Sequence, residues 1–192
     1  ENTAVGKDAL SANTTASRNV AVGWSALGGN TTGAYNTGVG WQAGSAHQTG
    51  NYNTAIGYNA AFSSTTVAGE FVLGNNQVAN LRCQDTSISS LSDVRDKTNI
   101  VDIPLGLNFL NTVRPVSFDW DARDGSKIGK KDFGFIAQEL KVAANATDYA
   151  DHMRLVHEDN PDMLEADAMK MFPILVKAIQ ELSAKVTALE NA

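Results

Sequence analysis

The chain has 192 residues, with 15 Lys and Arg against 21 Asp and Glu, which gives a net charge of −6 at pH 7. This length suits one or two domains, and the acidic balance argues against a nucleic-acid surface, which needs clustered Lys and Arg. No apolar run is long enough to cross a membrane and no signal peptide is apparent, so we expect neither nucleic-acid binding nor membrane insertion.

A glycine recurs every seventeen residues through the first half of the chain, at Gly6, Gly23, Gly40, Gly57 and Gly74. The residues that end in these glycines read NTAVG, NVAVG, NTGVG, NTAIG and EFVLG. One further step reaches Leu91, where the pattern stops and SDVRDKTNI follows. Twelve of the sixteen glycines precede this junction and all four prolines follow it. We therefore predict two domains, residues 1–91 and residues 92–192. Because the chain begins within a repeat, we expect it to be the end of a longer protein.

The repeats predict a stack of short strands. In each unit an Asn-Thr-apolar-Val/Ile stretch suits a strand, and the glycine after it suits a tight corner. We predict a trimeric β-solenoid, β-roll or triple β-helix shaft with about one rung per repeat, in which stacking supplies the core. Asn and Thr at equal rung positions can form hydrogen bonds along the stack. This half resembles the head repeats of trimeric bacterial adhesins and the shafts of phage fibres.

An aromatic residue follows the glycine in three successive repeats, at Trp24, Trp41 and Tyr58. The stripe is compatible with a packing ladder between rungs or chains and with an aromatic strip that binds sugar. We favour the packing ladder, since large aromatic side chains contribute most to packing area.

The second half predicts a small α+β domain. A short helix is expected over Pro104–Val113, with Leu107 and Leu110 facing inwards. Val116, Phe118 and Trp120 alternate as in a half-buried strand, and a second strand should carry Phe133 and Phe135 before a helix near Ala137. A further strand is expected over Met153–His157.

The last residues carry a heptad pattern, which predicts a coiled-coil tail over about residues 172–190. Pro173 fits the first turn of this helix or a kink in a helix that begins near Asp162. The alternative is an amphipathic helix packed on its own domain. The seam residues are Phe172, Leu175, Ile179, Leu182, Val186 and Leu189.

The remaining reactive side chains do not predict a metal or cofactor site. His47, His152 and His157 lack ligand spacing with any Cys or acidic cluster, so we expect neither metal nor cofactor. Cys83 is the only cysteine, and we expect it to be a small, buried, apolar filler.

Ser92 and Lys97 lie five residues apart at the junction. A serine hydroxyl becomes a good nucleophile when a base takes its proton, and a lysine acts as that base only when it is neutral. A positive charge on Arg95 would favour the neutral lysine, whereas Asp93 and Asp96 would oppose it unless they point outwards. Without further context, such a pair is most often part of a solvated turn.

SDVRDKTNI resembles the start of the intramolecular chaperone domain that ends phage tail spikes, tail fibres and neck appendages, a module that also occurs in the myelin regulatory factor. The likeness continues through LNFLNTVRPVSFDW, DFGFIAQEL and ILVKAIQELSAKVTALE, and weakens over Lys141–Asp162. The resemblance implies a trimer and a Ser-Lys dyad, Ser92 and Lys97, which cuts the bond between Leu91 and Ser92.

The resemblance implies a function. We expect an intramolecular chaperone that trimerises, sets the register of a phage fibre shaft and then releases itself as a single-turnover serine endopeptidase. The mature fibre would belong to the virion and contact a host receptor, while the released domain would remain in the host cytoplasm. The main alternative is a trimeric fibre or adhesin cap that never cuts. A membrane-tethered transcription factor and a glycan hydrolase fit less well, because a basic DNA-binding segment and a distinctive carboxylate pair are both missing.

Overall fold

The computed structural model describes residues 1–78, 80–84, 89–125 and 127–192. The chain divides into two compact units, Glu1–Arg82 and Cys83–Ala192. The repeats fill the first unit, and the second begins before the expected boundary after Leu91. Residues 85–88 of the connecting segment lie outside the described residues, so the boundary at residue 91 stays a prediction.

The first unit is a parallel β-solenoid with one coil per repeat. Five strands of three residues each stack in sequence order, and each residue pairs with the residue seventeen positions later, as Thr3 does with Val20. Each strand therefore pairs with the next repeat of its own chain, so the structure shows a solenoid and not an interwound triple helix. The strands are β1 (Thr3–Val5), β2 (Val20–Val22), β3 (Thr37–Val39), β4 (Thr54–Ile56) and β5 (Phe71–Leu73).

Small residues make the interior of the coil narrow. The middle residue of each strand points inwards, and Ala21 and Ala55 are fully buried. A second set of buried alanines follows the three inner strands, at Ala26, Ala43 and Ala60. The first and third residues of each strand point outwards because side chains alternate along a strand. The third position is Val, Ile or Leu in every strand and is solvent-exposed, whereas the first position is Thr in β1, β3 and β4.

The periodic glycines are required by the close approach of successive coils. Gly6 has φ of +126°, a conformation that other residues rarely adopt, and a Cβ there would lie 2.6 Å from the carbonyl oxygen of Gly23. Gly23, Gly40 and Gly57 repeat this conformation, and Gly23 and Gly40 repeat the carbonyl contact. A side chain at this position would push the coils apart and break the parallel ladder.

A ladder of asparagine side chains runs through the solenoid beside the strands. The Oδ1 of Asn19 accepts from the backbone N–H of Asn36 at 2.8 Å, and the Oδ1 of Asn36 accepts from that of Asn53 at 2.9 Å. The Nδ2 of each donates to a backbone carbonyl, at 2.9 Å for both Asn19 and Asn36. These three residues are buried, so the ladder supplies partners to backbone groups that water cannot reach. The expected hydrogen bonding along the stack is confirmed.

The ladder ends at Glu70, which takes the place of the next asparagine. Its N–H still donates to Asn53 Oδ1 at 2.9 Å. Its carboxylate turns back within the same coil, however, and Oε2 accepts from the N–H and the hydroxyl of Ser63 at 3.0 and 3.1 Å. The carboxylate is thus occupied within its own coil.

The second unit is a small α+β domain that contains two separate hairpins of strands. The strands β6 (Val116–Asp119) and β7 (Lys131–Gly134) pair antiparallel, and β8 (Val156–His157) pairs with β9 (Glu165–Ala166). The helices are α1 (Leu107–Leu110), α2 (Ala137–Asn145), α3 (Ala150–Met153) and α4 (Phe172–Glu190).

The helix α4 packs on its own domain with one face only. Ile174 and Ala178 are buried, and the carboxylate of Glu181 accepts from the N–H of Leu107 at the start of α1, at 2.9 Å. The buried cluster of this unit comprises Phe109, Leu140, Ala144, Met153, Leu155, Met171 and Ile174. The predicted heptad seam is not part of this core and lies exposed on a different face. The helix thus packs on its own domain, as the alternative expected, but not through the seam residues, and the coiled coil stays a prediction.

The structure corrects several predicted bounds. The helix expected over Pro104–Val113 is one turn, Leu107–Leu110, in which Phe109 is buried while Leu107 and Leu110 are half-buried. Met153 ends α3, so the strand expected from there begins at Val156. Cys83 is exposed and is not a buried filler.

Other predictions are confirmed. The strand with alternating Val116 and Phe118, the helix that begins at Ala137 and the tail helix all lie where they were expected. Pro173 lies in the first turn of α4, where its missing N–H costs no hydrogen bond.

Replacing Asn36 with Ala should destabilise the solenoid. The substitution leaves the N–H of Asn53 without its acceptor, while the carbonyl of Gly50 keeps a contact with His47 Nε2. We expect a loss of about 2 kcal/mol or more, since a buried unpaired donor costs about 1–3 kcal/mol. Urea unfolding followed by tryptophan fluorescence measures this. Thr49→Ala, an exposed change on the next coil, is the control and should stay within about 0.5 kcal/mol of wild type. Equal stability of the two variants would contradict the ladder's role.

Candidate self-cleavage site

Ser92 and Lys97 flank a single 3₁₀ turn, Val94–Asp96. Asp93 precedes the turn, and its Oδ1 accepts from the N–H of Arg95 at 2.9 Å. A 3₁₀ helix has about three residues per turn. The residue that follows the turn, Lys97, therefore lies close to Ser92, the residue that precedes the cap. The turn thereby brings the two residues selected from the sequence into contact.

The amine of Lys97 contacts two oxygens of Ser92. Nζ lies 2.6 Å from Oγ and 3.0 Å from the backbone carbonyl oxygen. A charged ammonium donates to both oxygens. A neutral amine has one lone pair and two N–H bonds, so it can donate to the carbonyl and accept the hydroxyl proton. The two contacts are therefore compatible with either protonation form of Lys97.

Arg95 does not direct its charge at Lys97. Its guanidinium forms a fork with Asp93, with Nη2–Oδ2 at 2.6 Å and Nε–Oδ1 at 3.0 Å. The hydrogen bond from the Arg95 side chain, and then that from its backbone N–H, hold the pKa of the Asp93 carboxyl below its usual value. The same side-chain bond raises the pKa of Arg95. The Arg95 charge is therefore paired with Asp93, and the sequence interpretation, in which this charge favours a neutral Lys97, stays a prediction.

The site is open to solvent in the single chain. Ser92 and Lys97 are exposed, and Leu91, which contributes the carbonyl of the expected bond, is 97% exposed. Burial is the other means of favouring a neutral lysine. Among the described residues of this chain, none covers Lys97. The arrangement brings the nucleophile and the base together but does not exclude water from them.

Residues 92–152 match the family described as the chaperone of endosialidase. That family bears a peptidase name and is linked to self-cleaving activity. The match begins at Ser92 and supports a chaperone domain of the kind that ends phage tail proteins. It spans less than half of the chain and ends before α4, so the likeness of the last helix to this family remains a resemblance. No curated protein and no solved structure matches the chain significantly.

The aromatic stripe on the solenoid is a continuous stack. The rings of Trp24 and Trp41 lie 4.8 Å apart between centroids, and those of Trp41 and Tyr58 lie 5.0 Å apart, with interplanar angles of 20° and 11°. Within this stack, each ring face that points towards another of the three rings is therefore covered by that ring. This geometry agrees with a packing ladder, because a sugar stacks on a free ring face.

Sequence reasoning missed a second stack, Tyr35 on Tyr52, with centroids 4.8 Å apart. The guanidinium of Arg18, one repeat earlier, lies 5.1 Å from the Tyr35 ring centroid and donates to its hydroxyl. The seventeen-residue spacing of these three residues was the available signal.

The histidines do not form a metal centre. His47 is buried in the solenoid, where its Nε2 lies 2.8 Å from the carbonyl oxygen of Gly50. Asn30 makes the equivalent contact one coil earlier, with Gly33. His47 is therefore a structural substitute for an asparagine. Across the described residues, no group of His, Cys, Asp or Glu has the arrangement of a metal site. Nor is any described helix both long enough and apolar enough to cross a membrane.

Proposed function

We propose that this protein is a fibre shaft with a C-terminal intramolecular chaperone, which trimerises, sets the register of the shaft and then cuts itself free between Leu91 and Ser92. The observation that carries the proposal is the 2.6 Å contact between Ser92 Oγ and Lys97 Nζ, at the start of the segment that matches the chaperone family. The shaft would belong to a virion tail fibre, spike or appendage and would contact a host-cell receptor. The released domain would stay in the host cytoplasm.

The proposed reaction is an acyl transfer followed by hydrolysis. Neutral Lys97 accepts the hydroxyl proton of Ser92 while Oγ attacks the carbonyl carbon of Leu91. The bond between this carbon and the Ser92 nitrogen breaks, and the nitrogen takes up a proton to become the new amine. An ester then joins Leu91 to Ser92 Oγ. Water attacks the ester, which leaves a carboxylate on Leu91 and restores the hydroxyl. Hydrogen-bond donors at the developing oxyanion lower the barrier of both steps.

Two unpartnered apolar faces support a homotrimer. On α4 the seam residues Phe172, Ile179 and Leu189 are at least three-fifths exposed, although the opposite face of the helix is packed. On the solenoid, the outward third residues of the strands form an uncharged apolar stripe. Exposed stripes of this length mark interaction sites in soluble proteins. The stripe consists of Val5, Val22, Val39, Ile56 and Leu73.

Repetition along the shaft explains why a registering domain is useful. The stripe presents nearly the same residue at every coil, so three shafts displaced by seventeen residues would retain most of their contacts. A trimeric domain without repeats has one register and would transmit it to the shaft. Cleavage then makes assembly one-way, because the finished shaft persists through slow unfolding.

A second candidate function is a trimeric cap that never cuts. The solvent exposure of Ser92, Lys97 and Leu91 favours it, since no described residue of the single chain excludes water from these groups. In the self-cleaving protein, trimer assembly would supply the burial that the single chain lacks. Denaturing gels of fresh and aged protein separate the two functions.

Ser92→Ala and Lys97→Ala should each remain intact while wild type gives a new N-terminus at Ser92. The first removes the nucleophile and the second removes the base. Intact-mass and N-terminal mass spectrometry measure the products, and urea-unfolded wild type should not cut because the turn is lost. Ser89→Ala and Lys130→Ala, which change exposed residues of the same types, are the controls and should cut normally. Cutting at another bond, or undiminished cutting in Lys97→Ala, would remove the dyad from the mechanism.

Hydroxylamine should accelerate release and leave a hydroxamate on Leu91. It attacks esters faster than amides, so it reports the ester to Ser92 Oγ. Ser92→Cys should form a thioester instead and be released by added thiol. Mass spectrometry of the shaft C-terminus distinguishes acid, hydroxamate and thiol adduct. If neither nucleophile is incorporated while cutting proceeds, water attacks the peptide directly and the ester step is wrong.

Replacing both Ile179 and Leu182 with Asp should prevent trimer assembly, because like charges would meet in the seam. The test uses the Ser92→Ala background, in which the shaft stays attached, and multi-angle light scattering to measure mass. Gln180→Asp with Ala184→Asp adds the same charge off the seam and is the control. A trimer mass for the seam variant, or a monomer mass for Ser92→Ala alone at micromolar concentration, would contradict the assembly.

A further inference from the structure

We propose that Asp93 and Arg95 are positioning residues for the cut, which hold the turn closed and shield Lys97 from the Asp93 carboxylate. This role rests on the self-cleavage proposed above. Neither residue contacts the reacting atoms. They act through the single turn that places Lys97 Nζ 2.6 Å from Ser92 Oγ.

The first part of the role is geometric. One carboxylate oxygen of Asp93, Oδ1, accepts from both the backbone N–H and the Nε of Arg95, at 2.9 and 3.0 Å. The other oxygen, Oδ2, accepts from Nη2 at 2.6 Å. The side chain of Arg95 is thus tied to the residue that caps its own turn. The backbone bond from the Lys97 N–H to the Val94 carbonyl, 3.2 Å long, closes the same turn. Opening the cap would release the segment that carries Lys97.

The second part of the role is electrostatic. The charged groups of the turn are Asp93, Arg95, Asp96 and Lys97 itself, and none of the ion pairs in the described part of the chain includes Lys97. An unpaired carboxylate beside Lys97 would stabilise its ammonium form, which cannot take the serine proton. The guanidinium gives Asp93 a compensating charge. Asp96 makes no ion pair in the described part of the chain, so it provides a matched carboxylate without this partner.

The fork is stronger than most exposed ion pairs. Isolated surface pairs contribute little, because two long side chains must be ordered to form them. Here the partners are two residues apart, the pairing is bidentate, and the cap bond already holds one oxygen in place. The low pKa of Asp93 keeps its carboxylate charged, and the fork intact, throughout the neutral range.

The test compares cutting rates and their pH profiles in the full chain. Arg95→Gln unmasks the carboxylate, so we expect cutting about tenfold slower at neutral pH, a change equivalent to about 1.4 kcal/mol in the barrier, and a profile displaced to higher pH. Asp93→Asn keeps a cap acceptor but removes the charge, so its profile should not move to higher pH. The double variant should resemble Asp93→Asn, because Arg95 then has no charge to mask. Asp96→Asn removes a carboxylate that has no Arg partner, so it should not displace the profile to higher pH.

A second measurement does not depend on cutting. In the Ser92→Ala background, an amine-acylating reagent modifies only the neutral form of Lys97, and peptide mass spectrometry gives its rate against pH. Arg95→Gln should displace this profile to higher pH, and the double variant with Asp93→Asn should restore it. Light scattering confirms that each variant keeps the wild-type mass.

The outcomes separate this role from the proposed function. The positioning role would be overturned if Arg95→Gln kept the wild-type cutting and labelling profiles. It would also be overturned if Arg95→Gln slowed cutting equally in the Asp93→Asn background. Either result would leave the dyad in place. A wild type that never cuts would overturn the proposed function, and this role in the reaction with it, whatever the labelling shows.

Discussion

The hydrogen-bonded register of seventeen residues is the constraint on which the shaft depends. The strand of each coil pairs with the equivalent strand of the next coil. At the same interval, the Oδ1 of each buried asparagine accepts a hydrogen bond from the backbone N–H of the next one. Such a register satisfies the backbone with a narrow interior of alanines, which buries little apolar surface per coil. Stability then grows with the number of coils. The repeat also leaves the register between chains undetermined, because a surface that is the same at every coil does not specify how a neighbouring chain aligns with it.

The second unit, in contrast, is built from helices and strands that do not repeat. Its core joins α1, α2, α3 and α4, and Glu181 ties the tail helix to α1, so the exposed seam of α4 is held in one orientation. A short coiled coil alone would be marginal. Anchored on a folded domain, α4 would lose less conformational entropy on meeting the partner helices of the proposed trimer. The same anchoring would let three tails fix the relative position of three shafts.

The sequence predicted what repetition and periodicity determine. The seventeen-residue glycine spacing predicted the coils, and the heptads predicted α4 from Phe172 to Glu190. It was less informative where tertiary contacts decide, as at α1, which lasts one turn, and at Met153, where α3 ends and the expected strand does not begin until Val156. In the site, the family resemblance predicted the pairing of Ser92 with Lys97, since their spacing alone was equally typical of a solvated turn. The pairing of Arg95 depends on which neighbour its guanidinium meets, and the order of residues does not determine that.

At the C-terminal end of the solenoid, Glu70 occupies the position that a ladder asparagine has in the middle coils. The strand β5 is an edge of the sheet, and an open edge in a sheet of identical coils is a template on which a further strand from another molecule can add. An asparagine at this position would offer its oxygen to the next N–H along the stack. Glu70 instead directs a carboxylate to Ser63 and places a negative charge beside the edge. A strand added to this edge would therefore find no asparagine oxygen at position 70 to accept its N–H, and the buried ladder could not continue through it.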